Sequence, residues 1–281
     1  MIKRDEKKEC FFSDPASRFS KAFTLIELLV VISIISMLMS IMMPALRGAR
    51  EQGKRVVCQS NMRQLAIAWM MYCMENDDRM CSPETYWNDT SFPMPYSDGQ
   101  DHHWVSQGPE NLSINPNPLC NSDEALEDGV LWTYLKTIDI YKCKSDRGLS
   151  LRSYSISRSM GGGTTADYAM LTEVDRPSDK AVFVDADYEP YEALHGSFRP
   201  IFGWGTDNPK WQKVNGQFVT SRHDDGFNVT YADSHCGYIK LKDDRTKELT
   251  IDLRVNFTEQ PDEFETNDIE RLRKMLSARI K

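Results

Sequence analysis

The stretch Lys21-Ala22-Phe23-Thr24-Leu25-Ile26-Glu27-Leu28-Leu29, continuing as VVISIISMLMSIMMPAL to Leu46, decides how this chain is read. From Phe23 to Met43 run 21 residues whose only ionisable side chain is Glu27. As an α-helix they would span roughly 31 Å at about 1.5 Å per residue, the thickness of a bilayer's hydrocarbon core. The N-terminal segment is therefore expected to attach the chain to a membrane. An unpaired carboxylate near the start of such a helix costs on the order of 2–3 kcal/mol or more in hydrocarbon, so Glu27 needs a partner, and an α-amino group is the obvious one. A secretory signal would show a shorter apolar region and then a small-x-small cleavage site, neither of which is present. A plain single-span anchor explains the length but not Phe-Thr-Leu-Ile-Glu placed directly after a basic leader.

These residues resemble the cleavage and methylation motif of type IV pilins and type II secretion pseudopilins. The resemblance implies that a prepilin peptidase/methyltransferase cuts between Ala22 and Phe23 and methylates the new amine of Phe23. Glu27 becomes the fifth residue of the mature chain and neutralises the Phe23 amine of a neighbouring subunit. Ala22 stands where the family usually has Gly. Pro44 lies inside the expected long helix, where a proline kinks or locally melts it, and this too matches the family. The implied partners are other pilin or pseudopilin subunits, an inner-membrane assembly platform and the lipid bilayer. The implied location is the bacterial inner membrane, crossed once, with the N-terminus cytoplasmic and the body periplasmic or in an extracellular fibre. Charge alone favours that orientation only slightly. Lys3, Arg4, Lys7, Lys8, Arg18 and Lys21 precede the apolar run, and Arg47, Arg50, Lys54 and Arg55 follow it.

The remainder reads as a soluble body. The 281 residues have 40% hydrophobic content and a net charge of -8, which excludes a multi-span protein and argues against nucleic acid as a partner. The expected organisation is a leader over 1–22, a transmembrane helix half over 23–43, an exported helix half over 44–76 and an extracytoplasmic domain over 77–281. Without Cys10 of the leader, Cys58, Cys73, Cys81, Cys120, Cys143 and Cys236 remain, an even set that permits disulfides in an exported body. Cys58 and Cys73 sit 15 residues apart on one predicted helix, roughly 22 Å, too far for a bridge. Cys120 with Cys143 and Cys73 with Cys81 are the pairings expected. No CxxC pair or His-Cys set has zinc spacing, so no structural zinc is expected.

Val56, Met62, Leu65, Ala66, Trp69, Met70 and Cys73 recur at helical spacing, the core stripe of an amphipathic helix running to about Asn76. Met70, Met71 and Met74 read as core filling. Residues 82–123 read as loops, Gly129–Lys136 as a short helix, and Ile140–Cys143 as the chain entering an edge segment. Strand patterns appear at Lys180–Val184 (closed by Asp185), Gln217–Thr220, Phe227–Ala232, Cys236–Leu241 and Leu249–Val255. Between them, residues 186–216 form an aromatic insertion with Tyr188, Tyr191, Phe198, Phe202, Trp204 and Trp211. Residues 262–281 read as a helix with Ile269, Leu272, Met275, Leu276 and Ile280 on one stripe. The expected fold is α+β, a long N-terminal helix packed on a small antiparallel sheet, which is also the pilin-like architecture.

The segment Arg222-His223-Asp224-Asp225-Gly226-Phe227-Asn228-Val229-Thr230-Tyr231-Ala232-Asp233-Ser234-His235 carries a second resemblance. It is similar to the C-terminal signature of a pseudopilin-like subgroup abundant in planctomycetes, in which a His is followed after nine residues by Asp-Gly. His223, Gly226, Asn228 and Asp233 are its motif positions, and Ser234 replaces the final Gly. Gly129 through Asp146 resembles a further shared segment. The resemblance supplies no role for the motif. Ten residues of strand rise roughly 33 Å, so His223 and Asp233 belong at opposite turns and cannot share a ligand if the strand is straight. Asp224-Asp225-Gly226 suits a hairpin turn, and Asp233-Ser234-His235 can cap the other end. A calcium site from Asp225 or Asp233 with Asp185 and Asp187 is the metal reading, since hard oxygens at strand ends suit Ca²⁺. No Ser or Cys nucleophile sits in an elbow context, so no enzyme is expected. The leading function is thus a structural subunit of a type II pseudopilus or type IV pilus-like fibre. The competing one is a membrane-tethered binding protein for glycan or calcium.

Overall fold

The computed structural model describes residues 24–83, 102–105, 123–148, 151–157, 159–161, 168–188, 197–198 and 217–242, with positions 268, 271, 274 and 275. Two compact units divide the chain, Met1–Arg47 and Gly48–Lys281. Helix α1, Leu25–Glu75, contributes residues to both and contains Pro44. Local melting is therefore not seen at Pro44.

In the first unit the described residues form exposed helix, with apolar side chains on every side from Leu25 to Leu46. Its few hydroxyls are satisfied internally. Ser33, Ser36 and Ser40 donate to the carbonyls of Val30, Ile32 and Met37 at 2.8, 2.7 and 2.8 Å, as a surrounding without water demands.

In the second unit α1 buries Cys58, Asn61, Met62, Leu65, Ala66, Ala68, Trp69, Tyr72 and Cys73. The expected stripe needs correcting at its ends. Val56 is 60% exposed, and Met71 and Met74 are exposed while Met70 is only partly buried. The buried seam runs through Cys58 and Trp69, and Val56 and Met71 each stand two positions, about 200°, from it.

That seam packs on a sheet of six strands: β1 Tyr154–Ser157, β2 Ala181–Tyr188, β3 Ser197–Phe198, β4 Gln217–Val219, β5 Gly226–Tyr231 and β6 Cys236–Lys240. The order is β3-β1-β2-β5-β6, with β4 paired to β2. β1, β2, β5 and β6 are successively antiparallel, with Val184 opposite Val229 and Asn228 opposite Tyr238. β3 runs parallel to β1. The α+β expectation therefore holds. β1 lies in Tyr-Ser-Ile-Ser, a run with no expected strand, because two apolar residues are too few to show a period. Ile140–Cys143 is not an edge segment: a 3₁₀ turn occupies Ile138–Tyr141. It follows α2, Asp123–Glu127, and α3, Trp132–Leu135, the latter inside the short helix expected there.

Met62, Leu65 and Trp69 of α1 share one core with Tyr154, Ile156, Val182 and Phe183, and Trp104 meets the Phe183 ring edge-on at 5.6 Å. Across the sheet, Val184, Phe227, Val229, Ile239 and Met275 form a second cluster. Each fully buried large apolar side chain contributes about 1.5–3 kcal/mol. Leu249–Val255, Cys120 and the insertion beyond Tyr188, except β3, lie outside the described residues. So do Ile269, Leu272, Leu276 and Ile280.

Candidate functional site

The first candidate is the start of α1. Ala22 and Phe23 lie outside the described residues, but Thr24 and Glu27 form a capping box. Thr24 donates its backbone N–H and its hydroxyl to Glu27 Oε2 at 2.9 and 2.7 Å, and the Glu27 N–H donates to Thr24 Oγ1 at 3.2 Å. Ser/Thr-x-x-Glu is the sequence form of this cap, which satisfies helix-end donors reciprocally. The carboxylate that the sequence leaves in need of a partner thus has a local one within its own chain.

The second candidate grows from the turn before β5. Asp224 and Asp225 have φ of 50° and 57°, and His223 and Gly226 exchange backbone hydrogen bonds, both 3.2 Å, making the two-residue hairpin turn expected of Asp-Asp-Gly. Gly226 has a steric reason. A Cβ there would lie 2.3 Å from the Ile239 carbonyl and 2.6 Å from the Tyr238 hydroxyl. That hydroxyl donates to the carbonyls of His223 and Asp224, both at 2.7 Å, and Arg55 of α1 stacks over the Tyr238 ring at 4.5 Å.

The turn delivers Arg222 and His223 into the core. The Arg222 guanidinium lies 3.2 Å from Asp185 Oδ1 and 3.4 Å from Asp146 Oδ2, and donates to the Ala186 carbonyl at 2.9 Å. Thr220 Oγ1 accepts from its backbone N–H and its Nε, which fixes the side chain. Asp146 also accepts from Ser153 Oγ at 2.5 Å and the Gly148 N–H at 2.8 Å, with Lys142 Nζ 3.1 Å away. Burial alone would raise the Asp146 carboxyl, but Arg222, these hydrogen bonds and Lys142 together hold it below the ordinary carboxylate range. His223 is fully buried, its Nε2 3.2 Å from Asp185 Oδ2 and 3.2 Å from Cys143 Sγ.

Cys143 is bonded to Cys58 of α1, with Cα atoms 5.2 Å apart. Both expected pairings are corrected by this: Cys143 is taken by Cys58, and Cys73 and Cys81 are free. The cause is docking of α1 on the 3₁₀ turn, where Asn61 donates to the carbonyls of Asp139 and Lys142 at 3.2 Å each. One turn of helix from Asn61, Cys58 meets Cys143, the residue after Lys142.

The other motif positions go elsewhere. Asn228 is fully buried, and neither end of its amide has a hydrogen-bond partner among the described residues. Phe227 and Val229 fill the second core cluster, so by alternation Asn228 points to the α1 side of the sheet. Asp233 lies beyond the far end of β5 from His223 and accepts from the His235 N–H at 3.1 Å and the His235 Nδ1 at 2.5 Å. Burial raises the Asp233 carboxyl, and those His235 hydrogen bonds outweigh it and hold it low. Ser234, in place of the motif's Gly, takes a φ of 65°, the left-handed conformation that glycine adopts freely. Of the carboxylates considered for calcium, Asp185 is in the core beside Arg222, Asp225 is in the hairpin turn and Asp233 is at the opposite end of β5. The Asp187 side chain lies outside the described residues.

Arg222, Asp146 and Ser153 were not among the sequence candidates, and the two cysteines were considered only for other disulfide pairings. Their signals were faint: Arg222 adjoins His223, and Cys143 and Asp146 lie near the end of the stretch Gly129 to Asp146.

A family model described as the prokaryotic N-terminal methylation motif matches residues 17–43. No curated protein and no solved structure matches the chain. The chain thus carries a prepilin-type N-terminus, followed by an apolar helix long enough to cross a membrane.

Proposed function

We propose that this protein is a structural subunit of a pilus-like assembly: a precursor cut between Ala22 and Phe23, methylated on the Phe23 amine, and polymerised through α1. The match of residues 17–43 to the methylation motif carries this reading. An exposed apolar helix and a carboxylate at its fifth mature position support it. Before assembly Glu27 is held by Thr24, which keeps the charge solvated by hydrogen bonds inside a helix end. In a bundle of such helices, the methylated amine of a neighbour takes over that partnership as an ion pair in low dielectric.

On this reading the leader stays cytoplasmic, the helix crosses the bacterial inner membrane once, and the body works outside. Its partners are the prepilin peptidase, other pilin or pseudopilin subunits and the membrane assembly platform. The role is mechanical, in a type II secretion pseudopilus or a type IV pilus-like fibre. Intact-mass and N-terminal peptide analysis of the membrane-purified chain, with and without the peptidase, tests it. The expected product begins at methylated Phe23; a chain retaining Met1 in the presence of active peptidase overturns the reading.

A further inference from the structure

The disulfide is one of two things that Cys58, Cys143 and His223 can do together. Their ligand atoms all lie within 4.8 Å of one another, and all three residues are buried. A tetrahedral zinc with Zn–S of about 2.3 Å and Zn–N of about 2.0 Å places its donor atoms about 3.3–3.8 Å apart. The bonded sulfurs are too close for both to ligate one ion, and reduction frees them to separate.

We propose that the dithiol form of this chain binds one thiophilic divalent ion, zinc by preference, through Cys58 Sγ, Cys143 Sγ and His223 Nε2, with water as the fourth donor. The donors fit such an ion for three reasons. His223 Nε2 lies 3.2 Å from Cys143 Sγ, close to the spacing of neighbouring donors around one ion. Asp185 is fully buried, its Oδ1 at ion-pair distance from Arg222 and its Oδ2 3.2 Å from His223 Nε2, so a fixed carboxylate stands beside the imidazole as outer-shell partners of metal ligands do. The surrounding charges also cancel without the ion: Arg222 and Lys142 oppose Asp185 and Asp146. A divalent ion with two thiolates then enters as a neutral unit, avoiding an uncompensated buried charge. Two sulfurs and an imidazole select zinc over calcium.

The two states are mutually exclusive. Metal binding releases one proton from each thiol. Oxidation by a second disulfide of the exported compartment joins the two sulfurs, reduces that disulfide to two thiols and expels the ion. Both states tie α1 to the segment after the 3₁₀ turn. The three protein donors come from widely separated parts of the chain, so no local ligand spacing announces them.

The test uses the full-length chain in detergent, reduced with a phosphine, with cobalt(II) as the probe. The expected result is one cobalt per chain showing the ligand-field and thiolate charge-transfer bands of a tetrahedral site, displaced by zinc and absent from the oxidised chain. The bands should be lost in Cys58→Ser and His223→Ala and kept in His223→Cys, which restores a donor and guards against loss through misfolding. Absence of the bands in the reduced wild-type chain overturns the proposal. So does their survival in Cys58→Ser, which would place the metal on other cysteines of the chain.

Discussion

Along one helix, residues 25–46 expose apolar side chains all round, whereas residues 58–73 bury a single seam and leave the other faces to solvent. The contrast separates two uses of hydrophobicity. A helix that is apolar on every side has no preferred direction and suits a surround of lipid or of like helices. A seam has one direction, and here Cys58, Met62, Leu65 and Trp69 fix which side of the helix meets β1 and β2. Charge follows the same division. The first part holds one carboxylate at its tip, and the second meets the buried ionic cluster around Arg222 through a covalent bond.

The largest effect should come from that tip. Glu27→Leu is expected to abolish recovery of the chain in sheared fibres while leaving it in the membrane fraction, as compared by immunoblot. Undiminished assembly would reduce residues 25–47 to a plain anchor.

Next come changes in the seam. Removing the disulfide with Cys58→Ser and Cys143→Ser opens a link spanning 85 residues and should destabilise the oxidised body by about 4–5 kcal/mol. Trp69→Ala should cost about 3–5 kcal/mol. Ile35→Ala, a truncation in the exposed part, should change body stability by no more than about 0.5 kcal/mol. Urea unfolding in detergent, followed by tryptophan fluorescence, measures all three. Equal losses at Ile35 and Trp69 would erase the distinction between the two parts.

The ionic cluster sharpens it further. Arg222→Leu leaves Asp185 buried without its guanidinium partner and Asp146 with Lys142 alone, and should destabilise by about 3–5 kcal/mol. Asp146 titrates lower in the folded chain than in the unfolded one, so its contribution is full above about pH 4 and is lost as pH falls through the depressed folded value. Asp146→Asn should therefore flatten the acid limb of the stability curve. An unchanged limb would show that other carboxylates govern acid unfolding.

An effect smaller than those at the seam and the ionic cluster is expected at the cap. Thr24→Ala removes the hydroxyl from the Thr24–Glu27 box and should weaken the first turn by about 0.5–2 kcal/mol, read as faster amide exchange at residues 25–28 in micelles.

Much of this was legible in the chain. Period 3.6 in Met62, Leu65, Trp69 and Cys73, and period 2 in Phe227, Val229 and Tyr231, are local patterns that name helix and strand directly. The Asp-Asp-Gly turn was equally plain, because only a few residue types tolerate two successive positive φ values. β1 was hidden, since Tyr154-Ser155-Ile156-Ser157 offers only two apolar residues, too few to establish a period. The far-face positions of Val56 and Met71 were misread because an apolar residue next to a seam looks like part of it until the partner surface is known.

The N-terminal segment by itself determined an apolar helix long enough to cross a membrane and its prepilin-type motif, because length, apolar content and one placed carboxylate act through residues adjacent in the chain. The tertiary structure alone decided that Cys58 reaches Cys143, that His223 lies against both Cys143 and Asp185, and that Arg222 joins Asp185 to Asp146. These contacts link residues tens of positions apart. Their partners are fixed by how the α1 seam docks on the sheet and the 3₁₀ turn, a choice made by packing in three dimensions that no local spacing encodes.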